Sequence, residues 1–222
     1  MIIIGLVGMQ KSGKGVISNA LAPEGWTTIS MSDVLREKTL LDNPGLEINR
    51  DVMRQKGIEY REKSNNGGYL VDLCFERISQ LPPEERERVI IDGIRHPDEI
   101  KVILSCCDQS YFWGVIADED RETDQQVRFC RLADNPDQRG PNFESTEWVD
   151  FQKADALEWD NTESEYGTKI GKCLEEVSLM RATGRGRIVI NGEDKKLEIL
   201  GEEVREYARE LERNSGGPEK EK

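Results

Sequence analysis

Lys14 sits near the end of the run Gly8-Met9-Gln10-Lys11-Ser12-Gly13-Lys14-Gly15, whose spacing G-x-x-x-x-G-K suits phosphate chemistry. Gly8 and Gly13 permit backbone angles that a side chain would forbid. The amides of residues 10–15 can then converge on an anion at the positive end of the following helix. Lys14 reaches the terminal phosphates as a point charge. An uninterrupted apolar run, Ile2-Ile3-Ile4-Gly5-Leu6-Val7, precedes the loop, and Val16-Ile17-Ser18-Asn19-Ala20-Leu21 follows it as a helix. Glycines also build ordinary β-α turns. A buried strand, a glycine loop and a helix in this order nevertheless make nucleoside triphosphate binding the expectation. Its donor-binding residues are Gly8, Lys11, Ser12, Gly13, Lys14, Gly15 and Val16.

Other side chains add charge around that loop. Asp92 ends the strand Arg88-Val89-Ile90-Ile91-Asp92, a position from which a carboxylate holds Mg²⁺ directly or through water; its bland role is to cap the next helix. Arg128 and Arg131 lie three apart on a helical stretch and so share one face, whether solvated or functional. Residues 50–63 hold Arg50, Arg54, Lys56, Arg61 and Lys63 against Asp51, Glu59 and Glu62, and Arg181, Arg185 and Arg187 form a second basic cluster. At a net charge of −13 both read as solvated faces before nucleic-acid grooves, yet local excess cation brings a phosphorylated ligand close. His96, the only histidine, opens a helix as a cap or bystander.

These residues need a scaffold of alternating strands and helices. Strands are expected at about 2–7, 26–30, 88–92, 111–117 and 187–191. Helices are expected after the loop, from a Ser32 cap, over 47–63 and 69–80, from His96, and over 120–133, 146–160, 168–180 and 194–213. Asn43-Pro44-Gly45, Asn65-Asn66-Gly67-Gly68 and Pro82-Pro83 punctuate them. Short apolar strands alternating with helices imply a parallel sheet covered on both faces.

Composition bounds the rest. The 222 residues suit one domain with an insertion, or one domain plus a lid, and 36% hydrophobic residues suffice for a core. The acidic balance opposes a general grip on nucleic acid or anionic membrane. No basic stretch precedes the first apolar run, which therefore reads as a strand and not as a signal peptide. Five cysteines without C-x-x-C spacing look like reduced residues of an intracellular, cytoplasmic protein.

Three motifs carry a resemblance. Gly13-Lys14-Gly15, Ser32-Asp33-Val34-Leu35-Arg36 and Asp92-Gly93-Ile94-Arg95 resemble the loop, the Gly-Asp-x-Leu-Arg and the Asp-Gly-Phe-Pro-Arg of adenylate kinases. The wider spacing is similar to dephospho-coenzyme A kinase, phage deoxynucleotide kinases and uncharacterised archaeal relatives, and Lys11-Ser12-Gly13-Lys14 is particularly like the phage kinase loop. The order of elements matches over about residues 1–195, but only these motifs are specific. The resemblance implies that Arg36 and Arg95 hold the acceptor's phosphate, that Lys14 holds the donor's, and that Arg128 and Arg131 meet the transferring group as a lid closes. Arg139 would join them, and Lys153 stands where relatives have a second lid arginine. Arg61, in the basic stretch, joins the acceptor-binding set. Asp33 has three readings: structural if the acceptor is a phosphate, general base if it is a hydroxyl, or charge support for its helix. Val16 stands where adenylate kinases have threonine, and Ile94 replaces the Phe-Pro pair.

The expectation is therefore an α/β P-loop NTPase-type three-layer sandwich with a parallel five-stranded sheet. One kinase domain spans 1–214, with a helical acceptor-side insertion at about 42–81, a lid at about 134–165 and a disordered tail over 215–222. Lys14, Asp33, Arg128 and Arg131 are the catalytic candidates; Asp33, Arg36, Arg61 and Arg95 bind the acceptor, and Asp92 lies on the metal side. ATP and Mg²⁺ are the expected cofactors. The leading acceptor is a (deoxy)nucleoside monophosphate. A hydroxyl acceptor, such as dephospho-coenzyme A or 5-hydroxymethyluracil in DNA, and a non-catalytic nucleotide-binding regulator are the alternatives. Nucleic acid is a disfavoured partner, and no membrane is expected.

Overall fold

The computed structural model describes residues 1–134, 147–192 and 197–215. Arg139, most of the segment joining the sixth and seventh helices, and the tail beyond 215 lie outside these residues. Five strands, β1 (Ile2–Val7), β2 (Thr27–Ser30), β3 (Arg88–Ile94), β4 (Ser110–Ile116) and β5 (Gly186–Ile190), form one sheet in the order β2-β3-β1-β4-β5. Every pairing is parallel.

The side chains of β1 alternate between two cores, as period two requires when both faces are covered. Ile3 and Val7 face a cluster that includes Leu35, Val71, Ile100 and Val177. Ile4 and Leu6 face Ile17, Leu21, Leu200 and Val204. The helices follow from that division. On one side lie α1 (Lys14–Leu21) and α9 (Leu197–Ser215); on the other lie α2 (Met31–Asp42), α4 (Tyr69–Ser79), α5 (Pro97–Cys106) and α8 (Ile170–Leu179). Each side chain such as Ile4 or Ile90 is fully buried, an environment that stabilises by about 1.5–3 kcal/mol per large aliphatic residue.

Three helices gather at the loop that follows β1: α3 (Arg50–Ser64) and α6 (Arg121–Asp134), whose arginines reach it, and α7 (Trp148–Trp159), whose acids pair with those arginines. The 42–81 stretch divides in two. Leu70, Val71, Cys74 and Ile78 of α4 belong to the core, whereas α3 adds only Tyr60 to it and otherwise buries just Gly57 and Arg61. Asn49 caps α3 by accepting from the Val52 amide at 2.8 Å. Helix α2 starts earlier than its serine pattern predicts. Ser30, not Ser32, is the cap, and its hydroxyl accepts from the Asp33 amide at 3.2 Å. Strand β2 ends where the cap begins, so no residue separates strand from helix. His96 caps α5 in a capping box with Glu99. All five cysteines are free. Among the described residues no helix is long and apolar enough to cross a membrane.

Candidate functional site

The loop between β1 and α1 is braced from outside. The Asn191 side chain, just past β5, donates to the Ser12 carbonyl at 3.1 Å. Arg131 on α6 donates to the Lys11 carbonyl at 3.1 Å and also to the Asn191 carbonyl. Arg128, one turn earlier, donates to the Gln10 carbonyl at 3.3 Å. In a trans peptide the next amide points the opposite way, so the Lys11 and Gly13 amides turn away from these braces. Gly13 begins α1 in the left-handed region at φ 109°, where a Cβ would stand 2.0 Å from the Asn191 amide nitrogen. Gly8 has no such angle, contrary to expectation; it is needed for room, since its Cβ would lie 2.4 Å from the Val115 carbonyl. The loop's other left-handed residue is Lys11, at φ 63°. The Lys14 ammonium folds back onto the carbonyls of Gly8 at 2.8 Å and Met9 at 3.0 Å. Burial pushes its pKa down, and the Asp92 charge opposes that shift.

Asp92 is brought beside the loop by the sheet. It registers with Leu6 of β1 and Ser30 of β2, and the β1–β3 register then slips at Gly93, whose φ is 105°. Its Oδ1 is buried without a hydrogen-bond partner, as is the Ser12 hydroxyl. Such orphaned oxygens are costly unless something takes their lone pairs. A hard cation does so, and Mg²⁺ characteristically takes one or two carboxylates and completes its shell with waters and substrate phosphates. Among the described residues no group of three or more His, Cys, Asp or Glu is placed to hold a metal unaided. The donor set therefore fits a cation that arrives with phosphate.

From this loop a cleft of about 1230 Å³ runs to α2 and α3. Lys11, Lys14, Val16 and Asp92 line its loop end, and Arg36, Arg50, Arg54, Arg61 and Arg95 line the remainder with Leu35, Met53 and Leu70. This excess of cations in a chain of net charge −13 marks the cleft for an anion. Glu158 of α7, 4% exposed, also lines it. Arg50 donates to its Oε1 from Nε at 3.2 Å and also from Nη2, and Arg95 does so at 3.5 Å. Burial alone would raise the carboxyl, but Arg50, Arg95 and Lys14 override it and hold its pKa at about 2.

The predicted residues separate into those that reach the cleft and those that support it. Lys11, Gly13, Lys14, Gly15, Val16, Arg36, Arg61, Arg95, Asp92 and Arg131 all line it. Arg61 does so while 2% exposed and ion-paired to Glu99 at 2.6 Å. The other Glu99 oxygen accepts from the Arg95 and His96 amides at 2.7 and 3.0 Å, so Arg61 acts through the backbone that carries Arg95. Arg128 does not line the cleft. It is buried between Asp124 at 2.7 Å and Asp155 at 2.6 Å and braces the loop. Asp33 is 63% exposed, pairs with Arg36 at 3.2 Å and lies off the cleft, in the first turn of α2. Lys153 is exposed and paired with Asp150.

Sequence reasoning missed Asn191, Asp155 and Glu158. The last two had a signal. Phe151, Asp155 and Glu158 recur at i, i+4 and i+7, and they are the buried face of α7. Acids on the apolar stripe of a helix demand buried cationic partners.

No family model matches the chain. It is 30% identical over 155 residues to a UPF0200 protein of Thermococcus onnurineus, over 70% of this chain and 77% of that one. A UPF0200 protein of Methanothermobacter thermautotrophicus is 32% identical over 105 residues, 46% of this chain and 48% of its own. One of Thermococcus gammatolerans is 25% identical over 203 residues, 84% of this chain and 99% of its own. Among solved structures, TT1252 from Thermus thermophilus matches with a TM-score of 0.50 and 14% identity over 95% of this chain and 97% of that one. A gluconokinase from Sinorhizobium meliloti matches at a TM-score of 0.49 and 14% identity, over 96% and 95%. The strand order and the loop between β1 and α1 make the fold that of the P-loop NTPases, a three-layer sandwich that the likeness to TT1252 matches over 95% of this chain.

Proposed function

The chain belongs to the UPF0200 family, and from the cleft it carries we propose that it is a phosphotransferase moving the γ-phosphate of ATP to a phosphorylated, nucleotide-type acceptor. One observation carries this reading: the braced loop with Lys14 and the orphaned Asp92 oxygen share a single cleft with Arg36, Arg54 and Arg95. The loop amides and Lys14 would bind the donor's phosphates. Asp92 would hold Mg²⁺, which when bound neutralises charge on the donor's phosphates. Arg36, Arg54 and Arg95 would grip the acceptor's phosphate, where planar guanidinium groups bind in two places. Leu35, Met53 and Leu70 offer apolar surface for the rest of the acceptor. Positioning and charge stabilisation then supply most of the catalysis.

A phosphate acceptor is already an anionic nucleophile and needs no base. A hydroxyl acceptor needs one, and the exposure of Asp33 outside the cleft speaks against that alternative. The test is transfer of labelled γ-phosphate from ATP to a panel of ribo- and deoxynucleoside monophosphates, dephospho-coenzyme A, and DNA with and without 5-hydroxymethyluracil. Label on a monophosphate is the expected result. Label on a hydroxyl substrate overturns the acceptor class. ATP bound without any transfer leaves a nucleotide-binding regulator.

A further inference from the structure

Glu158 is a carboxylate placed where a substrate anion belongs. Its Oε1 receives Arg50, from the first turn of α3, and Arg95, from the loop after β3. The three meet in the cleft, and Arg50 also donates to the Gln10 side chain of the loop. Arginine pairs with carboxylate and with phosphate through the same forked geometry, so the two anions compete for the same donors. A phosphate monoester dianion brings more charge and three acceptor oxygens against the carboxylate's single charge and two oxygens. A neutral hydroxyl compound brings neither. We infer that Glu158 is an internal occupant of the acceptor's phosphate subsite, displaced by a phosphate monoester dianion and so setting the acceptor's charge class. This rests on the phosphotransferase reading above.

Displacement has a mechanical consequence. The far end of α3 is held separately, with Glu62 accepting from Ser164 at 2.7 Å and Asn65 accepting from Tyr166 at 2.8 Å. Opening the Arg50–Glu158 pair therefore removes one tie on the C-terminal turn of α7, which Thr168 still holds through the Leu157 carbonyl at 2.8 Å, while the tip of the acceptor cover stays anchored.

The test is calorimetric titration of inorganic phosphate into protein whose loop is first saturated with the non-hydrolysable analogue AMP-PNP, so that phosphate reports on the second subsite alone. Glu158→Gln removes the competing charge and leaves the shape, and phosphate binding should tighten about tenfold. The acceptor KM should fall by a similar factor without a rise in kcat. Unchanged or weaker phosphate binding, with AMP-PNP affinity intact, overturns the inference. Failure of the unmodified protein to bind AMP-PNP overturns the phosphotransferase reading instead. The unmodified protein gives a second reading that does not depend on the variant's folding. Adding phosphate to its AMP-PNP complex should speed amide exchange over residues 148–159, and unchanged or slower exchange counts against displacement.

Discussion

Lys14 and Arg95 carry opposite ends of one transfer, and their substitutions should fail in different ways. Lys14→Ala removes the point charge that meets the donor's phosphates. Labelled-phosphate turnover should fall about 10²–10³-fold, the cost of deleting one preorganised electrostatic donor. Arg95→Ala removes a charged hydrogen-bond donor, worth about 1.5–3 kcal/mol, so the acceptor KM should rise about 10–100-fold while ATP affinity holds. Asp33→Asn is the control that the structure supplies. Its carboxylate is exposed, paired only with Arg36 among the described contacts, and outside the cleft, so turnover and both affinities should stay near normal. Loss of turnover in that variant would restore the hydroxyl-acceptor reading.

The strand-loop-helix unit works because other elements hold it. Gly13 and Gly15 separate conformation from mere proximity. A methyl at Gly13 meets both a left-handed backbone and the Asn191 side chain, whereas nothing lies within 4 Å of one at Gly15. Gly13→Ala should therefore lower stability by about 1–3 kcal/mol in urea unfolding and abolish AMP-PNP binding, while Gly15→Ala folds as the parent does. Helices α6 and α7 form the second brace. Phe129 packs edge-on against Trp148 and Phe151, and Asp124, Arg128 and Asp155 join the helices beneath them. Asp155→Ala leaves Arg128 with one buried partner fewer. It should cost about 3–5 kcal/mol of stability and, through the Gln10 carbonyl, weaken nucleotide binding as well.

Charge is distributed unevenly over the molecule, and pH should expose it. Glu158 titrates at about 2 when folded against an ordinary value of 4.5. A depressed carboxyl contributes stability that is complete above its unfolded value and disappears as pH falls through the folded one. His96, lowered by burial, acts in the same direction at higher pH, because below its ordinary 6.5 the proton favours the unfolded chain. Stability should thus decline on acidification in two stages, first through the histidine and then between about pH 4.5 and 2. Urea midpoints measured across this range should show the lower stage flattened in Glu158→Gln. A lower stage that persists unchanged in that variant would assign it to other carboxylates.

Spacing and period determined much of this protein in advance. The loop, its flanking strand and helix, and the five strands are local patterns, and local sterics and burial enforce them wherever they occur; Asp92, expected to end its strand, lies two residues inside β3, which runs on to Ile94. The motifs also marked Arg36 and Arg95 as residues of one cleft. What sequence could not determine was which charges face which. Arg128 and Arg131 share a helix face by spacing, yet Arg131 reaches the cleft while Arg128 is buried between two aspartates. Asp33 and Arg36 share a motif, yet Arg36 lines the cleft and Asp33 does not. Spacing marks Glu158 only as an acid on a buried helix face and leaves Asn191 unmarked, and neither reveals its partner, because Arg50 and Ser12 lie 108 and 179 positions away along the chain. A charge acts on whatever the fold brings within a few ångströms in a low-dielectric interior. That distance is a property of how the helices pack over the sheet, and only the tertiary structure decides it.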